Sequence, residues 1–431
     1  MRLDSSQYGA AVKARMRTDL TNVACRARAH SWSLIALVLF AGFLILRLPF
    51  QAEYLISWDA ANYALGTELF DLEYHQPHPP GYIGYIALGW LLNHLTGDPN
   101  TSFTMLSAVS GAAAPAAVFL IASYFTSRKY AVIAAVLFGL SPVVWYYSEV
   151  ALGYALEMAL AAFFLWLAYH ARLYLSFRHL LIATVPLVIL GAVRQSGALF
   201  LFPLWFFIVW PFPRRHQMKA LGVLVAGNLL WLIPLLWFAG GPVAYVRASR
   251  ALAGLAVSPT TILSLNPLGW AQNVGYVAAA LVVGVNAGLL VIALAYALRT
   301  RPLARLTRQD RIFFILWLAP ALATYLLMHT GQLGYMLLII PAAFLWLGLS
   351  LSSIEHHIRT AWSVSLDRGY LLLHALGRRS LKLRHGFVLG ASLAVACALA
   401  SSLVFLHLPE TIYTVSRPDS TSAAQRAIND L

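Results

Sequence analysis

The stretch EYLISWDAANYALGTELFDLEYHQPHPPGY, residues 53–82, decides how the rest of the chain is read. It carries five carboxylates (Glu53, Asp59, Glu68, Asp71 and Glu73), two histidines (His75 and His78) and no lysine or arginine. Only 16 of the 431 residues are acidic, so nearly a third of the negative charge sits in this one segment, just past the first apolar run. Acid this dense between apolar stretches predicts a polar working face on a chain otherwise dissolved in lipid.

The composition around it supports that reading. The chain is 60% hydrophobic and 11% charged, with a mean hydropathy of +0.71, outside the range of soluble domains and in keeping with repeated bilayer crossing. The formal charge of +14 does not predict a nucleic-acid partner, because the basic residues fall between apolar runs instead of gathering on one water-exposed face. The two cysteines, Cys25 in the basic tail and Cys397 inside a late apolar run, offer neither a disulfide framework nor a metal site. The first apolar run follows six basic residues and ends without a small-residue cleavage signature, which reads as an uncleaved signal anchor.

At about 20 apolar residues per crossing, the sequence predicts eleven spans in an all-α membrane protein: residues 33–50, 102–126, 130–147, 151–171, 180–192, 198–210, 220–239, 274–298, 312–329, 335–353 and 387–406. Residues 81–95 are apolar but too short for a comfortable crossing and are expected to form a re-entrant or interfacial helix. The organisation is a tail at 1–30, one membrane domain at 31–407 with a helical outer loop at 51–97, and a short outer tail at 408–431. Counted on alternate sides of these spans, lysine and arginine divide 24 to 6. Cytoplasmic loops keep positive charge, so the N-terminus is expected in the cytoplasm and the acidic loop on the outer face of the inner membrane. No internal repeat is visible, which weakens a transporter reading. The basic connection 354–385 suits either an amphipathic helix on the anionic leaflet or a solvated linker.

Several polar residues stand out. Asp59 is explained equally by helix capping and by a role as general base at the membrane surface. Glu149 is placed on the same outer face, and Glu157 one to two turns deeper. An ionisable group inside a span is a functional candidate by default, with a structural ion pair as the competing explanation. Arg194, in a short turn between two very apolar runs, needs an anion: a carboxylate, a lipid headgroup or a substrate phosphate. Arg247 and Arg250, three apart in the long outer loop, are further phosphate candidates or else snorkelling anchors. His75, His78, Tyr82, Gln332 and Tyr335 are candidate substrate contacts. No nucleotide loop, zinc-protease motif or nucleophile elbow is visible in the sequence.

Together these residues resemble the GT-C glycosyltransferases, which use polyprenyl-phosphate sugars, near the protein O-mannosyltransferases, the aminoarabinose transferases and the bacterial Rgt-type branch. The resemblance covers roughly residues 34–211, with a looser echo at 331–341. It rests on Asp59 after the first span, His78 to Tyr82, a second acid, Glu149, opening the fourth span, and Arg194 near the fifth. It implies that Asp59 activates the acceptor, Glu149 helps to hold acceptor or metal, and Arg194 holds the donor phosphate. Where many members carry Arg-Tyr, this chain has Gly334-Tyr335, so Gln332 or His329 is expected to substitute. The expected partners are a polyprenyl-phosphate sugar and a lipid, glycan or protein hydroxyl, with a hexose or pentose transferred and the anomeric centre inverted. A divalent cation, magnesium or manganese, bridging Asp59 and Glu149 is compatible with the two acids but not demanded by them. The rival class is a flippase or transporter of lipid-linked sugars.

Overall fold

The computed structural model describes residues 32–367 and 378–407. The basic tail, the outer tail at 408–431 and the middle of the 354–385 connection lie outside the described residues. Among those described there is no strand, only one isolated bridge between Asp71 and Gln76. The fold is an all-α membrane bundle.

The chain enters through α1 (Trp32–Phe50). The acidic segment then folds as α2 (Trp58–Glu68), a tight polar loop and α3 (Ile83–Thr96). At 14 residues α3 extends about 21 Å, short of the ~30 Å hydrocarbon core. Next come α4 (Pro99–Phe125), α5 (Arg128–Gly139), α6 (Pro142–Tyr147), α7 (Tyr154–Tyr174), α8 (Phe177–Val193) and α9 (Gln195–Val209). The remainder is α10 (Arg214–Phe238), α11 (Pro242–Ala256), α12 (Pro267–Val285), α13 (Ala287–Ala297), α14 (Arg308–Leu327), α15 (Ile340–Asp367) and α16 (Arg378–His407).

Six of these helices (α1, α4, α7, α10, α12 and α14) are long and apolar enough to cross a membrane, and shorter apolar helices such as α8, α9 and α13 stand among them. Burial ranks the long ones. The apolar window of α4 is 72% buried and that of α7 is 67%, against 11% for α10. So α4 and α7 form the centre and α10 the rim. The sequence of α4 explains its place: Ser110 to Ala117 reads SGAAAPAA, and small residues let helix backbones approach closely where there is no hydrophobic force to drive them together.

Two apolar runs that read as single crossings are broken. Residues 130–147 divide into α5 and α6 because Pro142 cannot continue a helix but suits a first turn. Residues 274–298 divide at Asn286, which adopts a positive φ of 39° and accepts the Ala287 N–H with its own side chain at 2.6 Å. Both breaks come from single residues that hydropathy does not weigh.

Candidate active site

Asp59 lies in the first turn of α2, but it is not the cap. Ser57 is: its hydroxyl accepts the Ala60 N–H at 3.2 Å, leaving the Asp59 carboxylate free for other contacts. That carboxylate accepts a hydrogen bond from Gln332 Nε2 at 3.1 Å on Oδ2, and His78 Nδ1 stands 3.7 Å from Oδ1. Its side chain keeps 27% exposure, so it is held in place yet reachable.

The loop before α3 delivers the imidazole. His78 packs between the rings of Tyr63 and Tyr82, at centroid distances of 5.5 and 4.9 Å. Gly81 takes φ 102°, and a Cβ there would come 2.6 Å from Leu235 of α10, so the Pro-Pro-Gly turn passes close against that helix. Burial lowers the proton affinity of His78 below that of a free histidine; the Asp59 charge opposes the shift, and the Arg194 and His75 charges add to it. A neutral imidazole results near neutral pH.

Arg194 sits where α8 ends and α9 begins, in an extended conformation that turns the chain. Its Nε is 3.1 Å from Glu157 Oε2 on α7, with the two side chains 8% and 1% exposed. The guanidinium lies over the rings of Tyr154 (4.4 Å) and Tyr335 (4.5 Å). This is a cation fixed by one carboxylate and two π faces. The N-terminus of α9 adds its partial positive charge at the same place.

These groups open on one cavity of about 470 Å³. Asp59, His78, Tyr82, Arg194, Gln332 and Tyr335 all line it. A set drawn from positions 59 to 335 thus converges. Glu157 stands behind Arg194. Among the described residues Asp59 is the one carboxylate in the lining, and no group of three or more His, Cys, Asp or Glu side chains is placed to hold a metal ion.

Other candidates lie elsewhere. Glu149 is fully buried beside a second buried cation, Arg47 of α1, and does not line the cavity. A cation bridging Asp59 and Glu149 does not fit this arrangement, because Glu149 is buried away from the cavity that Asp59 lines. His75 also lies off the cavity. Arg247 and Arg250 line a separate shallow groove with Pro242, Val243 and Val246. The reason is helical phase: Ser249, Leu252, Ala253 and Val257 turn one face of the α11 segment to the cavity, and the two arginines lie on another.

The structure adds residues that sequence reading passed over. Tyr154 stacks on Arg194, and its spacing of three from Glu157 was the available signal. Gln195 lines the cavity and reaches the Pro80 carbonyl at 3.4 Å. His329, already a candidate in the sequence, lines it as well, its Nδ1 3.0 Å from the Thr260 hydroxyl. Asn273 ties this wall together, accepting the Thr330 N–H at 2.9 Å and donating to the Thr260 carbonyl at 3.0 Å. At Gly334, where this chain departs from the Arg-Tyr pattern noted above, there is no room for a side chain: a Cβ would come 2.8 Å from both Tyr147 and Tyr154.

Comparison with solved structures places this architecture. The chain is similar to ArnT from Cupriavidus metallidurans bound to undecaprenyl phosphate, with a TM-score of 0.55, 12% identity, and 88% of this chain covering 77% of that one. It is also similar to the oligosaccharyltransferase of Archaeoglobus fulgidus in the apo form, at TM-score 0.51 and 13% identity, with 86% of this chain covering 56% of that one. The protein shares the all-α, multi-helix membrane fold of these structures. It spans just over half the length of the oligosaccharyltransferase. No protein-family model matches the sequence, and no curated protein does.

Proposed function

We propose that this protein is a glycosyltransferase that moves one sugar from a polyprenyl-phosphate carrier to an acceptor hydroxyl. The observation that carries the reading is that Asp59 and Arg194, 135 positions apart, face one cavity. An acid that can take a proton and a fixed cation that can hold a phosphate are the two groups this reaction needs.

In this mechanism the acceptor hydroxyl gives its proton to the Asp59 carboxylate while its oxygen attacks the anomeric carbon. The bond from that carbon to the phosphate oxygen breaks, the electron pair leaves with the polyprenyl phosphate, and Arg194 neutralises the charge that develops there. One direct displacement inverts the anomeric centre. Gln332 and His78 orient Asp59. Tyr154, Tyr335 and Glu157 hold Arg194 rigid, so little reorganisation is needed as charge moves. A carrier that already holds the activated ester removes any need for a nucleotide site. The bound undecaprenyl phosphate of the similar ArnT structure supports a polyprenyl-phosphate donor. The 24 to 6 division of basic residues supports an outer-face cavity and a cytoplasmic N-terminus.

The test is mass spectrometry of cell-envelope glycolipids with and without the protein, paired with transfer by the purified protein from a polyprenyl-phosphate sugar. Loss of one glycosylated species in cells and its formation in vitro are expected. Movement of lipid-linked sugar between leaflets with no transfer would replace this reading with a flippase.

A further inference from the structure

A second cavity, of about 730 Å³, opens between α13, α14, α15 and the turn Pro302–Arg305. Its wall is apolar over most of its length, including Leu318, Leu322, Ile339 and Ala343, and the charged residues in the lining are Arg301 and Arg311. Both arginines are exposed, and neither pairs with a carboxylate among the described residues. Asp310, the acid next to Arg311, is occupied elsewhere: it accepts from Thr307 and from the Tyr169 hydroxyl, each at 2.8 Å. Five arginines fall between residues 299 and 311. The shape is an apolar channel with a cationic mouth.

Its dimensions decide what fits. From Arg311 to Leu322 α14 rises about 16 Å, which is half of the ~30 Å hydrocarbon core and so the depth of a single leaflet. Tyr296 and Trp346, edge to face at 5.9 Å, line the wall with amphipathic rings of the kind that sit at headgroup level. The occupant is not the sugar donor. Thr324, which lines the reaction cavity, is about 20 Å further along α14 than Arg311. A phosphate held at this mouth is therefore at the far end of the helix from Asp59 and Arg194.

We propose that this groove binds an anionic glycerophospholipid of the leaflet opposite the reaction cavity, one acyl chain lying along α14 and α15 and the phosphate held by Arg301 and Arg311. The proposal does not depend on the glycosyltransferase reading. Each basic residue near an anionic lipid surface strengthens binding roughly five-fold, so the two together supply roughly twenty-five-fold selectivity for an anionic over a zwitterionic headgroup.

The experiment incubates the full-length purified protein in detergent with phosphatidylglycerol or phosphatidylcholine and reads retained lipid by native mass spectrometry. Wild type is expected to keep one phosphatidylglycerol per chain and roughly twenty-five-fold less phosphatidylcholine. The Arg301→Gln/Arg311→Gln double variant, altered at exposed positions, should keep its lipid-free melting temperature and lose that preference. Ala343→Trp, which fills the channel, should reduce retention of both lipids; if it fails to fold, the arginine variant decides alone. Equal retention of the two lipids by wild type, or an unchanged preference in the double variant, would mean ordinary boundary lipid and overturn the proposal.

Discussion

Glu157 and Arg194 meet at 3.1 Å in the interior of the bundle, where both side chains are nearly inaccessible. Neither charge is tolerable there without the other. Glu157→Gln leaves the guanidinium buried and uncompensated, which is expected to destabilise the protein by about 3–5 kcal/mol. The same change frees Arg194 to swing, so donor affinity should weaken as well. Thermal melting and donor titration of the purified variant check both, and a variant as stable as wild type would show that the pair contributes no stability.

Arg194 is held by shape as much as by charge. Its guanidinium carbon stands 4.4 Å from the Tyr154 ring and 4.5 Å from the Tyr335 ring, a contact with two π faces that an ammonium on a flexible stem does not reproduce. Arg194→Lys is expected to lose at least ten-fold in donor affinity, close to the loss in Arg194→Ala. Full donor affinity in the lysine variant would reduce the role of this residue to a diffuse positive charge.

Asp59→Asn keeps the side chain's shape and can still accept from Gln332, but it cannot take a proton. Because Ser57 caps α2, the cap does not require a carboxylate here, and the helix loses only the favourable first-turn charge, worth about 0.3–1 kcal/mol. Transfer is expected to fall about 10²- to 10⁴-fold, the usual contribution of a positioned base. The melting temperature should stay within a degree or two of wild type. Normal turnover by this variant would move the base elsewhere in the cavity.

The sequence carries the parts of this site that announce themselves by charge in an apolar setting: Asp59 in the acidic loop, Glu157 inside a span, Arg194 in a greasy turn. It does not carry their pairings. Nothing local to position 332 says that its amide meets Asp59, 273 residues away, and nothing at Glu157 distinguishes a free acid from the partner of Arg194. Glu149 and Arg47 illustrate the limit from the other side, since burial of both at 0% exposure follows from helix packing that hydropathy cannot rank. Arg247 and Arg250 depended on which face of α11 meets the cavity, and that is decided by the packing of the helix, not by its own residues.

Gly334 tests the packing behind Arg194. A Cβ at this position would stand 2.8 Å from ring atoms of Tyr147 and Tyr154, neither of which can swing away from the core. Gly334→Ala is expected to cost about 1–3 kcal/mol of stability as an overpacking change. It should also shift Tyr154 off the guanidinium and lower donor affinity. Gly97, where a Cβ meets nothing within 4 Å, is the control for space: Gly97→Ala should leave donor affinity untouched, its positive φ of 73° affecting only local stability.

The pH dependence follows from His78. Its proton affinity in the folded protein lies below the usual 6.5, mainly because it is buried. At neutral pH it is uncharged beside the Asp59 carboxylate. As pH falls through its lowered value it becomes a cation 3.7 Å from Asp59 Oδ1, where an ion pair restrains the base. Transfer is therefore expected to fall on the acid side with an inflection below pH 6.5, and His78→Gln should remove that inflection while lowering the neutral-pH rate only modestly. Stability moves in the same direction. The unfolded chain binds the proton more readily than the folded one, so the contribution is complete above about pH 6.5 and is lost as pH falls through the folded value. Wild type should melt at progressively lower temperature across that window, and His78→Gln should show less of the loss. An acid limb of unchanged position and depth in His78→Gln would assign the titration to another group.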